Sequence, residues 1–308
     1  MSEAFLSIII PAYDEEENIK KGVLEEVFSY LKKQKYSWEV IIVNDGSTDK
    51  TAELTSAIVK NLFRKSKIPV IARRDDEAIY GRTGLLRFAR NDAKRERETF
   101  QADSKNYENF HILNTNHRGK GKAIIEGIKN SKGKIILFTD MDQSTPLNQL
   151  EKFLPEFENG YDVVIGSREK REGIPFIRKL TGIGFTFLRK LLLNLPYKDT
   201  QCGFKAFRKE AIEKILSKMK IEIASLPSVA RNDEGFLMTE SVIGPSYGVD
   251  FDLEILYFAN MLNLKVKEVA VEWRYKNNQS FNPVVHSWQA FKGIVTIKSN
   301  MLLGKYKY

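Results

Sequence analysis

Asp140 and Asp142 stand in the pair Asp140-Met141-Asp142, directly after the apolar run Ile135-Ile136-Leu137-Phe138. Four apolar residues bounded by polar ones read as a buried strand, so both carboxylates fall just past its carboxyl end. In an open α/β sheet that edge is where ligands bind, and carboxylates at i and i+2 can point the same way. They make half a site for Mg2+ or Mn2+, hard ions that take a few carboxylates and complete their shell with phosphate oxygens of a substrate. Spacing alone does not select this pair. About one Asp-x-Asp is expected by chance in such a chain, and Asp250-Phe251-Asp252 is a second. The first is distinguished by its strand end, with Gln143-Ser144-Thr145-Pro146 turning the chain away and a helix pattern from near Leu147 to about Glu158.

Other polar clusters also sit where strands stop. Phe5 to Ile10 reads as a buried first strand, followed by the loop Pro11 to Asn18 and a helix from about Ile19 to Lys33. Glu15 to Glu17 either serve a site or favour the positive end of that helix dipole. Trp38 to Val43 is a second strand ending in Asn44-Asp45-Gly46-Ser47-Thr48-Asp49, before a helix from Thr51 to Leu62. Asp45-Gly46-Ser47 is compatible with a turn and helix cap, but its repetition of the same pattern points towards a site. His117-Arg118-Gly119-Lys120-Gly121-Lys122 precedes a helix from Ala123 to Asn130; a basic, glycine-bearing loop at a helix start attracts phosphate, or is a solvated turn. Its spacing is not that of a Walker loop. With three histidines in the chain, no zinc cluster can be assembled.

At 308 residues and 42% hydrophobic content the chain can bury a large α/β core. One cysteine, Cys202, excludes a disulfide framework and suits a reducing compartment. A net charge of +9 favours acidic partners such as nucleic acid, anionic lipid or phosphorylated substrates. No apolar run reaches the roughly 18 residues that span a bilayer, and no basic leader precedes the first strand, which predicts contact with a membrane from the surface only.

IIIPAYDEEENI, VIIVNDGSTDKT, HRGKGKAIIEG and LFTDMDQSTP occur in that order, and together they resemble the family 2 glycosyltransferases of GT-A fold. The resemblance implies a single GT-A catalytic domain over 1–308, with a mostly parallel sheet flanked by helices. It also implies that Pro11, Ala12, Tyr13, Glu15 and Asp45 hold the nucleoside of a nucleotide-sugar donor. Asp140 and Asp142 would bind metal and diphosphate, with Arg118 and Lys120 near the diphosphate. Asp199-Thr200-Gln201-Cys202-Gly203-Phe204-Lys205, a helix beginning Phe251-Asp252-Leu253-Glu254, and an edge strand Val269 to Trp273 narrow the likeness to the branch using polyprenyl phosphates. Within it the dolichyl-phosphate β-glucosyltransferases are most similar; mannosyl relatives usually differ at the Asp199 to Lys205 motif. The expected location is cytoplasmic, peripheral at the cytoplasmic membrane face.

Two stretches stand outside that pattern, at about 72–106 and 223–248. Both contain Ala-Arg-Asn-Asp, at 89–92 and 230–233, and they look like translated palindromic repeats of the kind found in some bacterial genomes. Two others, at about 174–195 and 287–308, mix bulky apolar residues with lysine and arginine and are expected to lie in a membrane interface. Packing against the core is the competing account for 174–195.

The expected reaction is inverting transfer of a hexose, glucose from UDP-glucose or mannose from GDP-mannose, onto a polyprenyl phosphate. Asp199, then Asp252, are candidates to orient or deprotonate the acceptor, or else to bond the loop backbone. Arg168, Arg178 and Lys205 are candidate acceptor contacts, since phosphate recognition favours such cations, and the amide Gln201 is a further one. A basic nucleic-acid-binding protein is the rival suggested by charge. It is disfavoured because the ordered motifs are acidic and no aromatic-interleaved RNA-binding motif is present, so nucleic acid is not an expected partner.

Overall fold

The computed structural model describes residues 5–66, 105–107, 109–168, 189–219, 251–274 and 283–304. They build an eight-stranded sheet from β1 (Leu6–Ala12), β2 (Trp38–Asp45), β3 (Lys105–Tyr107), β4 (Phe110–Thr115), β5 (Ile135–Phe138), β6 (Val163–Ser167), β7 (Lys205–Arg208) and β8 (Val266–Ala270). The spatial order is β3-β4-β2-β1-β5-β7-β6-β8. β1 lies between β2 and β5 and is parallel to both, and β2 is parallel to β4. β7 runs antiparallel between β5 and β6, which restores β6 and its parallel neighbour β8 to the direction of β1. The carboxyl ends of β1, β2, β4, β5, β6 and β8 therefore share one edge with the start of β7.

Strand period decides which helices cover which face. Leu6, Ile8 and Ile10 of β1 point to one side, where they pack with Val23, Leu24, Val27 and Leu31 of α2 (Val23–Leu31) and with Leu150 and Phe153. Ile9 points to the other, against Ala123, Ile124 and Ile128 of α4 (Lys120–Lys129), α7 (Phe251–Met261), and Ile294 and Ile297 of α8 (Pro283–Leu302). Each such fully buried aliphatic side chain is worth roughly 1.5–3 kcal/mol. The remaining helices are α1 (Glu16–Lys20), α3 (Thr51–Ser66), α5 (Leu154–Glu158) and α6 (Lys209–Lys218).

Several expected boundaries shift. The helix expected over Ile19 to Lys33 is divided into α1 and α2, because Gly22 takes a left-handed φ of 84° between them. The helix from Leu147 to Glu158 becomes a 3-10 turn, Leu147–Lys152, followed by α5, with Pro155 in the first turn of α5 where it needs no N–H partner. The edge strand expected at Val269 to Trp273 begins earlier, at Val266, because Val163–Ser167 pairs with Val266–Ala270. Lys105 and Asn106, the end of the first expected insertion, pair with β4 as part of β3. The rest of that stretch through 104, all of 223–248, and 174–188 lie outside the described residues.

At the edge opposite the strand ends, Glu39 is buried and organises a polar knot. Its Oε1 accepts from the Ser7 hydroxyl at 2.5 Å and the Lys132 N–H at 2.6 Å, and its Oε2 lies 3.4 Å from His111 Nε2. Burial alone would raise its pKa, but the hydrogen bonds from His111, Ser7 and Lys132 outweigh it and hold the carboxyl below 4.5. Its contribution to stability is therefore present above pH 4.5 and lost as the pH falls through the lower, folded-state value. Glu39→Gln should cost about 2 kcal/mol at pH 7, the order of a charge-assisted hydrogen bond, with the gap from wild type narrowing as the pH falls below 4.5. Urea midpoints across pH 3–7 test this; a constant gap would contradict it.

α4 approaches β1 closely at Gly127, where an added Cβ would lie 2.4 Å from Ile9 Cγ2. Alanine gains about 1 kcal/mol over glycine within a helix, whereas overpacking a filled core costs about 1–3 kcal/mol. Ile9 is fully buried, so the clash should win. Gly127→Ala is expected to lower the urea midpoint at unchanged m-value, and a higher midpoint would refute the argument.

Candidate functional site

The loops leaving β1 and β2 are bound to each other before they can bind anything else. Asp14 adopts a φ of 52°, and its Oδ1 accepts the Thr48 N–H at 2.7 Å. Glu15 donates its N–H to Thr51 Oγ1 at 2.7 Å, Glu16 donates to Asp49 Oδ2 at 3.1 Å, and Lys50 donates back to Glu16 Oε2 at 3.2 Å. Pro11 and Ala12, expected at the nucleoside, are the last residues of β1, paired with Val43 and Asn44.

Asp45, also expected to hold the nucleoside, is 2% exposed and turned towards the basic loop. Its Oδ1 accepts the Arg118 N–H at 3.0 Å and its Oδ2 the Gly119 N–H at 2.8 Å. His117 Nδ1 lies 3.0 Å from Oδ2, and its ring lies against Tyr13, tilted by 31° with centroids 4.0 Å apart. Asp45 thus fixes the loop that presents Arg118, Lys120 and the Tyr13–His117 pair. Gly46 permits the approach: its φ is 68°, and a Cβ there would meet the His117 nitrogen at 2.7 Å.

Lys120, at the start of α4, reaches across to Asp140, with Nζ 2.5 Å from Oδ1. Burial favours the neutral form of both groups, but Asp140 together with Asp252 and Asp142 outweighs it to raise Lys120, and Lys120 together with Lys205 and Arg168 outweighs it to hold Asp140 below the usual carboxylate range. Asp142 accepts from the Ser144 N–H at 2.8 Å and the Ser144 hydroxyl at 2.7 Å, an Asx turn that closes the strand end. The two carboxylates are therefore not parallel along an extended chain. β5 stops at Phe138, Met141 is buried, and Gln143 turns back with a φ of 49°. Glu15 is raised above its ordinary value, first by burial and then by Asp142 and Asp140, so negative charge is concentrated between these loops.

That donor set fits a hard divalent cation. Among the described residues no group of three or more His, Cys, Asp or Glu side chains could hold an ion alone. Asp140 and Asp142 would need substrate phosphate oxygens beside them, the habit of Mg2+.

Across β5 lies a second cluster. Arg168, just past β6, forms a two-pronged pair with Asp199: Nε to Oδ2 at 2.6 Å and Nη2 to Oδ1 at 2.8 Å. Gln201, expected at the acceptor, donates its N–H to Asp199 Oδ1 at 3.2 Å. The Arg168 guanidinium also lies 5.7 Å from the Trp273 ring centre. Both oxygens of Asp199 face a cation, which favours orienting Arg168 over taking a proton.

Lys205 corrects an expectation. It was a candidate for the acceptor phosphate, but it is fully buried, with Nζ 2.5 Å from both Asp252 Oδ1 and the Cys202 carbonyl. Its position in β7, opposite Phe138, buries the stem. Asp252 correspondingly holds Lys205. For Arg189, in the segment expected either in a membrane interface or against the core, the second account holds: it is 1% exposed and bonds Thr200 Oγ1 at 2.8 Å and the Tyr197 carbonyl, while Lys190 and Leu191 beside it are exposed. Arg178 lies outside the described residues. Gly203, Glu268 and Trp273 were missed as site residues; an added Cβ at Gly203 would lie 2.0 Å from Asp140 Oδ2.

A family model, glycosyl transferase family 2, matches residues 7–93 and 88–216. A dolichyl-phosphate beta-glucosyltransferase from Dictyostelium discoideum is 29% identical, covering 98% of this chain and 76% of its own. Those from Saccharomyces cerevisiae and Homo sapiens are 28% and 26% identical, covering 99% and 98% of this chain and 77% of each relative. Among solved structures, a mycobacterial protein superposes with a TM-score of 0.54 at 16% identity, covering 96% of this chain and 75% of that one. Glucosyl-3-phosphoglycerate synthase from Mycobacterium tuberculosis, solved with Mn2+, UDP and glucosyl-3-phosphoglycerate, gives 0.52 at 16% identity, over 96% of this chain and 80% of that one. These structural likenesses show the GT-A fold.

Gly203→Ala should displace the Asp140 carboxylate from its place beside Lys120. Affinity for a nucleotide-sugar in the presence of Mn2+, measured by calorimetry, should fall about tenfold, or ~1.4 kcal/mol. Unchanged affinity in a folded variant would show that the contact between 203 and 140 does not matter to binding.

Proposed function

The chain belongs to glycosyl transferase family 2, and on that premise we propose that it moves glucose from UDP-glucose onto the phosphate of a membrane polyprenol, inverting the anomeric centre. The supporting observation is the placement, along one sheet edge, of an acidic group with Lys120 beside a cation held by a carboxylate, Arg168 with Asp199. The first suits a metal-bound diphosphate and the second a phosphate monoester. Relatives carrying the dolichyl-phosphate beta-glucosyltransferase name over nearly the whole chain support the same pairing of substrates.

In this reading Tyr13 and Glu15 border the nucleoside, and Arg118 and Lys120 steady the diphosphate. Asp140 and Asp142 would hold Mg2+ or Mn2+, which when bound supplies charge neutralisation for the departing diphosphate. Arg168 orients the acceptor phosphate, with Asp199 fixing the guanidinium. An acceptor phosphate oxygen bonds to the anomeric carbon as the bond from that carbon to the diphosphate breaks, and the nucleoside diphosphate leaves with the electron pair. A phosphate monoester, with a second pKa of about 6, is mostly dianionic at pH 7. No strong base is required, in keeping with an Asp199 whose oxygens are committed to Arg168.

The chain works in this reading as one catalytic domain at the cytoplasmic face of a membrane. No helix among the described residues is long and apolar enough to cross one. α8 exposes Phe291, Val295 and Leu302, which with Lys298 share a stripe that the buried Ile294 flanks and that faces away from the buried Ile297. Such a stripe suits a lipid interface.

The test is transfer of labelled sugar into an organic-extractable product, with undecaprenyl or dolichyl phosphate, Mg2+ or Mn2+, and UDP-glucose or GDP-mannose as parallel donors. Label in the lipid phase from UDP-glucose, abolished by Asp142→Asn in a folded variant, is the expected result. Label from GDP-mannose alone would overturn the sugar, and label from neither would overturn the acceptor.

A further inference from the structure

Residues 194–204, between the helical residues 189–193 and β7, carry Asp199 but form no strand or helix. Backbone bonds hold this loop at its ends, where Asn194 donates to the Lys190 carbonyl and Gly166 donates to the Phe204 carbonyl; around Asp199 side chains from its neighbours set its position. Arg189 holds the Tyr197 carbonyl and the Thr200 hydroxyl from one side. From the other, Glu268 of β8 places Oε2 2.9 Å from the Lys198 nitrogen and Oε1 2.7 Å from the Asp199 nitrogen, accepting both N–H groups. One carboxylate thus grips two successive peptide groups, the second belonging to the residue that pairs with Arg168.

β6 and β8 supply the two ends of this arrangement. They are parallel neighbours, with Ile165 opposite Glu268 and Ser167 opposite Ala270. Arg168 follows β6 directly, and Trp273, whose ring faces its guanidinium, follows β8. A shift of the Asp199 backbone would therefore separate Asp199 from a partner fixed by the same strand pair. Glu268 stands in an edge strand and is only partly buried, so the hydrophobic core does not require it.

We propose that Glu268 is a positioning residue for the transfer reaction: by holding the N–H groups of Lys198 and Asp199 it fixes the Asp199 carboxylate, and through it the Arg168 guanidinium, against the acceptor phosphate. The inference rests on reading Arg168 as the acceptor's cation. It assigns Glu268 to the acceptor side, with no part in holding the donor.

Glu268→Gln leaves one amide oxygen for two N–H groups and turns an NH2 towards the other. Amide hydrogen exchange at Lys198 and Asp199 should then quicken at least tenfold while the thermal midpoint stays within a few degrees of wild type. With polyprenyl phosphate as the varied substrate, kcat/KM should fall about tenfold while UDP-glucose affinity stays within twofold. In an Asp199→Asn background the same substitution should add less than a twofold loss. Glu272→Gln, at an exposed position after the same strand, is the control and should change none of these. A parallel loss of nucleotide affinity, or a full additional loss in the Asp199→Asn background, would overturn the proposal. If wild type transfers nothing to polyprenyl phosphate, the acceptor reading fails by itself; unchanged exchange at the two amides would still overturn the positioning role. Should Glu268→Gln not fold, Glu268→Asp, which keeps the charge on a shorter arm, carries the same comparison.

Discussion

The pairing of β1 with β2 on one side and β5 on the other decides the rest of the molecule. Because all three run in the same direction, the loops after Ala12, Asp45 and Phe138 leave from one edge. The antiparallel β7 then brings the start of its own strand to that edge, and β6 and β8 return their carboxyl ends to it. Chemistry-bearing residues far apart in sequence are thereby gathered without any long loop having to reach for them.

What the strands gather is charge of both signs, and the arrangement is held together by pairing it. Lys120 with Asp140, Arg168 with Asp199 and Lys205 with Asp252 form three cation–carboxylate pairs along one edge, the last fully buried on its lysine side. A buried ion pair is an uncertain source of stability, since desolvation offsets much of the attraction, but breaking one leaves an uncompensated charge. Such pairs therefore fix geometry more reliably than they add stability. Among the described residues Glu15 is left without a cation: burial first, and then the charges of Asp142 and Asp140, raise its carboxyl above the ordinary value.

Much of this was legible in the chain itself. Apolar runs ending in Asp45 and in Asp140-Met141-Asp142 located β2, β5 and the edge they share, because a buried strand must be apolar and a ligand site must be polar. The glycine-bearing basic loop located the start of α4. Boundaries were less legible where one residue governs the backbone, as at Gly22, or where a partner strand sets the limits, as in β8. Lys205 was misread, and the account of Arg189 was left open, because a lone lysine or arginine carries no sequence mark of whether its head meets solvent or a buried partner.

By itself the sequence determined the fold class, the order of the motifs, and the residue types available for binding a metal, a diphosphate and an acceptor. Strands with polar ends follow from local pattern, the period of two and the polarity where a strand stops, whereas the GT-A fold and the roles of those residues follow from the resemblance of the ordered motifs to family 2 glycosyltransferases. Only the tertiary structure decided how those residues are engaged: Asp45 with the basic loop, Asp199 with Arg168, and Glu268 with the backbone of 198 and 199. Each of these contacts joins residues at least 31 positions apart, so each depends on strand order and register, which are set by packing across the whole sheet.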